Sequence, residues 1–547
     1  MAASVEPAGT YDVAVLGSHL TAGLLGAVLA RQGLRVLLVP VADGAGETAG
    51  ETTVPYTSEV FLLIAKRFRV PEIAAFGRFA DLPESVRSSS GVKKSLGFLY
   101  HHPGRPQDPA ESMQFNVPGE HGEWHPSRSS LDACAMELAV RYGAVAAADG
   151  AVLVDAWVEG GLGHVRTDDG GLHHSRFVVD CAGSASPLVR RNGGFDAEPR
   201  SGLRSRVLAT HMEGVLRYEQ VVPIARSGAG PSAWSQGTVH HLFEGGWLQL
   251  ADFGNHAGST NPRVGVTLSL DREAAVGLPE DPELAFRAVV ARFPDVARQF
   301  ASAVAARPWT VEPVTQRTAA RTHGERWFAL ERSAGHNDTF LARDITMGAE
   351  LVHALASVLI PAAHEDDYAV ERFAPVARFQ EELAAFHDRI LCAARTACRS
   401  FPLWNAFARV WLLWQILADL SLKRARLDCE SDPGGAWTAV ERFEYGGIWF
   451  RVPEGLRELV DRALGTVEQA AGGLDPEQAA DRIFADLRRS SFVPPLYAFG
   501  DPDARVYRFT FPKRLRMLWW TRTTAPDDFR RLLTRDNITS VASAAVR

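Results

Sequence analysis

Residues 11–40, YDVAVLGSHLTAGLLGAVLARQGLRVLLVP, spell out a strand, a tight turn, a helix and a second strand. The apolar run from Val13 to Leu16 suits a buried parallel strand. An Ala- and Leu-rich helix then runs through Arg31, and Val36–Val39 form a second apolar run. A crossover between parallel strands commits the chain to an α/β architecture with helices packed on the sheet. It also brings a helix N-terminus to the C-terminal edge of the sheet, where free N–H groups and the helix dipole favour an anion. In the dinucleotide fingerprint GxGxxG, the three glycine positions are here Gly17, His19 and Ala22. Pro40 stands where an acidic residue would accept a ribose hydroxyl. The layout therefore points to a nucleotide, with side chains that depart from the usual form.

A chain of 547 residues holds two to four units of about 150 residues each. With 46% hydrophobic residues it can bury a large core, and a net charge of -7 argues against nucleic acid as a partner. Cys134, Cys181, Cys392, Cys398 and Cys429 lack metal-type spacing and suit a reducing cytoplasm; no metal site is expected. Met1–Pro7 lacks the basic head of a signal peptide. The apolar stretch FPLWNAFARVWLLWQILADL is broken by Asn405, Arg409 and Gln415, which predicts a core or lid helix and no membrane partner. The adjacent pairs His101-His102, His173-His174 and His240-His241 point to opposite faces of a strand, so none forms a ligand set.

The pattern predicts a discontinuous nucleotide-binding domain over residues 1–195 and 310–365. A platform of antiparallel strands is expected over 196–309, where HHLFEGGWLQLADF and RVGVTLSLD alternate apolar and polar residues. A long helix should begin near Met347. Residues 366–547 read as a helical C-terminal region, punctuated by Gly434-Gly435, Gly446-Gly447 and Pro494-Pro495. The basic and aromatic stretch Phe511–Trp520 suits a packed element with a solvated basic face, with docking of an acidic carrier protein as the other reading.

Several segments occur in a telling order. Gly50-Glu51-Thr52-Thr53-Val54-Pro55 follows the second strand. SGVKKSLGFLYHH carries Lys93 and Lys94, Arg128 and Asp132 precede or open a helix, and Asp180-Cys181-Ala182-Gly183 ends a strand. HHLFEGGW and NHAGSTN follow, then Leu403-Trp404-Asn405 and Arg409-Val410-Trp411. Over residues 11–425 this series resembles the flavin-dependent halogenases, most closely the phenolic halogenases of antibiotic biosynthesis. The resemblance implies an FAD-binding Rossmann-like domain, a β-sheet substrate platform and a helical lid. It implies FAD reduced by a separate flavin reductase, a halide ion, and a small aromatic substrate that arrives free or tethered to a carrier protein. In that family a lysine receives hypohalous acid and delivers halogen to an electron-rich ring. Lys93 matches that position, and Glu51 matches a residue near the flavin and the connecting tunnel. Gly17, His19, Ala22, Gly50, Arg128, Asp180, Gly183, Asp338 and Arg343 are the cofactor-binding candidates.

The departures fall at sites of chemistry. Besides His19 and Pro40, the family motif GWxWxIP reads Gly246-Trp247-Leu248-Gln249-Leu250-Ala251-Asp252 and keeps only its first Trp. The segment GFxDPxFSRG reads Gly335-His336-Asn337-Asp338-Thr339-Phe340-Leu341-Ala342-Arg343-Asp344. There Asp344 replaces a glycine, and a desolvated carboxylate would repel chloride unless it turned outward or Arg343 neutralised it. His336 suits either a polar group near the flavin edge or a turn residue. Three readings follow: a halogenase, a halogenase-like monooxygenase or oxidase without halide chemistry, and a family member without FAD that serves as a non-redox catalyst or binding protein.

Overall fold

Strand Tyr11–Leu16 lies between Val36–Val39 and Leu172–Asp180 in a largely parallel sheet. Val145–Ala146 and Trp327–Ala329 extend the two sides, also in parallel. The antiparallel strand His323–Gly324 closes one edge, and the hairpin Leu153–Glu159/Leu162–Thr167 pairs with the start of Leu172–Asp180. The computed structural model describes residues 9–42, 51–116, 122–148, 150–196, 204–222, 232–312, 317–336, 340–431, 434–441, 452–507 and 510–533. Val13 to Leu16 and Val36 to Val39 are fully buried, as strands covered on both faces must be. Helix Leu20–Arg31 is buried from Leu20 to Leu29 because it touches helices Arg128–Arg141 and Asp344–Glu365 as well as the sheet. Gly23 makes the first of these contacts possible: a Cβ there would lie 2.5 Å from the Ala135 carbonyl carbon.

The platform sheet runs Val304–Ala305, Ser205–Glu213, Val264–Asp271, Gly246–Asp252, Thr238–Phe243, Ser95–Tyr100, Ser112–Asn116, with Thr310–Glu312 also on Ser205–Glu213. Its pairs are antiparallel except for Thr238–Phe243 with Ser95–Tyr100, which is parallel. The boundary expected at residue 195 does not follow the sheets, since Ser95–Tyr100 and Ser112–Asn116 precede it yet complete the platform. The reason is burial. Leu96, Phe98 and Tyr100 enter the main core while Leu99 enters the platform's own core, so this strand needs cover on both faces.

The C-terminal region is helical, as expected: Val370–Ala397, Phe401–Ser431, Glu454–Ala471, Pro476–Arg489 and Phe511–Thr523 are its main elements. Leu403 to Trp414 are buried all round the helix, and Arg409 is satisfied by Asn405 Oδ1 at 2.9 Å and the Asp501 carbonyl at 2.6 Å. Among the described residues one helix, Asp344–Glu365, is long and apolar enough to cross a membrane, and 72% of its apolar window is buried inside the protein. It starts at Asp344, before Met347, because an acidic residue is favoured in the first turn.

Candidate active site

Lys93 ends the short strand Gly91–Lys93, which pairs antiparallel with Glu123–His125 and sets Lys93 opposite Glu123. Gly91 lets this strand rest on the platform, since a Cβ there would fall 2.0 Å from the Asp252 carbonyl oxygen. The amine is 2% exposed and donates to Thr52 Oγ1 at 2.6 Å and to the Thr53 carbonyl at 2.5 Å. Thr53 is itself fixed to the neighbouring strand, its hydroxyl accepting the Trp124 N–H at 3.0 Å. Burial pulls the Lys93 amine down to about 7, against the opposing pull of the Glu123 carboxylate. The amine therefore gives up its proton, and offers its lone pair, far more readily than an exposed lysine.

Behind the amine, Thr52 Oγ1 lies 3.2 Å from Thr238 Oγ1, which lies 3.0 Å from His125 Nε2. His125 Nδ1 is 3.3 Å from the Asp252 carbonyl. Burial first, then the Lys93 charge, holds His125 down to about 3. Glu51 is paired with His211 of the platform, Oε1 to Nε2 at 2.6 Å, while the Lys93 bonds go to Thr52 and Thr53. Gly265 makes room for this pair, because a Cβ would meet Glu51 Oε2 at 2.3 Å.

At the nucleotide turn, Gly17 has φ +147° and a Cβ would press on the Cys181 carbonyl at 3.0 Å, so glycine is required. His19 is extended, and its Nε2 donates to that same carbonyl at 2.9 Å; the imidazole folds back over the sheet edge instead of filling the turn. Ala22 is fully buried in the first helical turn. The Pro40 carbonyl accepts the Leu153 N–H at 2.7 Å, so this position is used to join strands. The Leu20 N–H donates to Asp132 Oδ1 at 2.8 Å. Arg128 holds Asp344 at 3.1 Å and Asp132 at 3.3 Å, and the Thr21 hydroxyl donates to Glu331. A dinucleotide fits this frame. The glycine turn, the first-turn amides and Arg128, whose buried Nε has no hydrogen-bond partner among the described residues, are the groups that would hold its pyrophosphate.

Asp180 is fully buried. Its carboxylate accepts from the Ala182 N–H, Ser186 Oγ and Ser333 Oγ at 2.9, 2.6 and 3.0 Å, and burial raises its pKa. It thus clamps the Gly183 turn. Gly183 has φ +64° and donates its N–H to Ser333 Oγ at 2.8 Å.

Leu341 and Ala342 are successive non-glycine residues with φ +66° and +60°. Such backbone costs about 1–3 kcal/mol per residue and persists only where neighbours fix it. Here Phe340 stacks on Trp247, with centroids 4.3 Å apart and planes at 13°, and meets Trp404 at 5.7 Å. Phe98 stacks on His240 at 4.8 Å and touches Trp404 at 5.1 Å, while Gln249 Oε1 is 3.2 Å from His240 Nε2. These rings form one wall joining the platform to helix Phe401–Ser431. The expected repulsion from Asp344 is corrected: Arg128 and Arg332, the latter at 2.9 and 3.0 Å, neutralise it. Arg343 instead pairs with Glu350 at 2.8 Å, both being buried.

Gly50 and Asp338 lie outside the described residues, and His336 pairs through its backbone with Arg317. Lys93 bonds Thr52 and Thr53 while the adjacent Glu51 pairs with His211, whereas Gly17, His19, Ala22, Arg128 and Asp344 gather at the helix terminus. Sequence reasoning missed His125, Thr238, Glu123 and Arg332. The Glu51-Thr52-Thr53 run had flagged Thr52 indirectly; Thr238, in a plain β pattern, gave no signal.

No family model matches the chain. It is 33% identical over 527 residues to tetracycline 7-halogenase of Kitasatospora aureofaciens, covering 96% of this chain and 95% of that protein. It is 31% identical over 534 residues to monodechloroaminopyrrolnitrin halogenase PrnC of Pseudomonas fluorescens, covering 95% and 93%. Among solved structures, halogenase PltM in complex with phloroglucinol and FAD superposes with a TM-score of 0.85 at 26% identity, covering 91% of this chain and 99% of that one. The structure of the chondrochloren halogenase CndH shares the fold, with a TM-score of 0.55 at 16% identity. With a buried lysine, a dinucleotide turn and relatives matched along nearly their whole length, the chain belongs to the flavin-dependent halogenases, FAD enzymes that halogenate aromatic substrates.

Proposed function

We propose that this enzyme halogenates a phenolic or similarly electron-rich ring of a natural-product intermediate, with Lys93 receiving hypohalous acid and presenting halogen to the ring. The carrying observation is the sealed Lys93 amine, drawn down to about 7 and held by two oxygen acceptors. Phloroglucinol, the ligand of the PltM structure, is an electron-rich phenol and supports this substrate class. FAD, when bound and reduced by a separate flavin reductase, would activate dioxygen, the two-electron oxidant that converts halide to hypohalous acid. Gly17, the helix amides and Arg128 would hold its pyrophosphate. Thr52 and Thr53 aim the Lys93 amine, and Glu51 acts through His211 to fix that segment on the platform. The wall of Trp247, Phe340, Trp404 and Phe98 excludes water and keeps the reactive oxidant on course. The substrate comes free or tethered to a carrier protein, and the cytoplasm keeps the five free cysteines reduced.

Lys93→Met tests the assignment. The variant should bind FAD with an unchanged visible spectrum and lose halogenation by more than about 100-fold with chloride or bromide. Retained product would remove Lys93 from the chemistry. Product made by the native enzyme without halide would favour the monooxygenase or oxidase reading, and failure to bind FAD would favour a non-redox role.

A further inference from the structure

The hydroxyls behind Lys93 form a line whose hydrogen-bond directions can be assigned. The Asp252 carbonyl only accepts, so His125 Nδ1, 3.3 Å away, carries a proton and donates to it. Neutral His125 then offers Nε2 as an acceptor, and the Thr238 hydroxyl donates to it across 3.0 Å. With its one proton so used, Thr238 accepts from Thr52 across 3.2 Å, and Thr52 accepts from the Lys93 amine across 2.6 Å. Every bond runs away from Lys93. The same atoms satisfy one other assignment. A charged His125 donates from Nε2 to Thr238, Thr238 donates to Thr52, and Thr52 donates to the lone pair of a neutral amine. The two states differ by the site of one proton and the rotation of two hydroxyls. His125 and Thr238 are fully buried and Thr52 is 2% exposed, so the line is insulated from solvent.

Resting on the reading of Lys93 as the halogen carrier, we propose that Lys93 and His125 share one proton through Thr52 and Thr238, which frees the amine lone pair when hypohalous acid arrives. The ammonium passes its proton into the line, and His125 gains one at Nε2. The amine attacks the halogen of hypohalous acid, the nitrogen–halogen bond forms, and the oxygen–halogen bond breaks. One amine proton joins the departing hydroxide as water. The aromatic ring then takes the halogen from nitrogen, its displaced ring proton returns to nitrogen, and the proton held by His125 moves back along the line. His125 touches neither the oxidant nor the ring, so it is a positioning residue.

The surrounding charges set the resting state. Glu123, opposite Lys93, favours the proton on the amine, and His240 on strand Thr238–Phe243 disfavours charge on His125. Asp419, which faces both Glu59 and Glu123, is pushed well above the usual carboxylate range by burial and then by those charges, and the Asp252 carboxylate is paired with Arg217 at 3.5 Å. With Lys93 near 7 and His125 near 3, the proton rests on Lys93 and leaves it only as the nitrogen–halogen bond forms.

Thr238→Val removes the hydroxyl at nearly constant shape, and Thr238→Ser restores it. The Val variant should lose about tenfold or more in turnover on the acid side of the pH profile and recover as the amine becomes neutral unaided, while Ser should keep the native profile. Nitrogen-15 NMR of histidine-labelled native protein without FAD should show His125 as the Nδ1–H tautomer. Superimposable native and Val profiles, or an Nε2–H tautomer, would overturn the shared proton. Should Thr238→Val fail to fold, the native tautomer decides. The two readings separate cleanly: an active Lys93→Met removes the carrier assignment, whereas an inactive Lys93→Met beside a Thr238→Val with native pH dependence removes only the proton line.

Discussion

A buried amine destabilises the fold for as long as it holds its charge, and at Lys93 that cost is written into the pH dependence of stability. Its folded value of about 7 lies below the ordinary 10.5 of the unfolded chain. Between those values the unfolded state binds the extra proton, so stability rises with pH through that window and the gain is lost as pH falls toward 7. The stability difference between native protein and Lys93→Met should therefore shift in favour of native protein from pH 7 to 10.5, as measured by urea titration at each pH. At Asp344 the prediction is simpler. Asp344→Asn leaves two nearly buried guanidiniums, Arg128 and Arg332, without their shared carboxylate, and should cost about 3 kcal/mol in the same titration. Lys93 was legible in the sequence because its motif is local. His125 and Thr238 were not, because they stand 113 residues apart and meet only through sheet register.

At the level of elements, a glycine decides where the reacting group sits. Gly91→Ala would force a Cβ into the Asp252 carbonyl, so strand Gly91–Lys93 must move off the platform. An ångström of displacement at a reacting group costs about 100-fold, so turnover should fall by that order while far-ultraviolet circular dichroism and FAD affinity stay near native. The parallel strands and the helix Leu20–Arg31 could be read from unbroken apolar runs and small residues. Two elements could not. Strand Ser95–Tyr100 lies in sequence beside the nucleotide domain but is buried on both faces, and burial is a tertiary property. The left-handed pair Leu341-Ala342 carries no glycine to announce it, since the Phe340 stack and the Arg343–Glu350 pair hold it from outside.

For the whole molecule, ligand binding and folding are linked through the same sheet edge. Any ligand held by Gly17, the helix amides and Arg128 binds only the assembled edge, so FAD at a hundredfold excess over its Kd should add about 2.7 kcal/mol to stability, read as a rise in Tm. A flat thermal profile across an FAD titration would contradict that placement. The exchange of strands between sequence zones has a further consequence, for synthesis. When the ribosome has released Ser95–Tyr100, its partner Thr238–Phe243 has yet to be made, and Leu172–Asp180 must wait for Trp327–Ala329. Both sheets thus leave the exit tunnel with open strand edges, so the nascent chain is a natural client for holding chaperones. In the finished protein the same exchange works in reverse: a single proteolytic cut between the two sheets should leave fragments that separate on a denaturing gel yet elute as one particle.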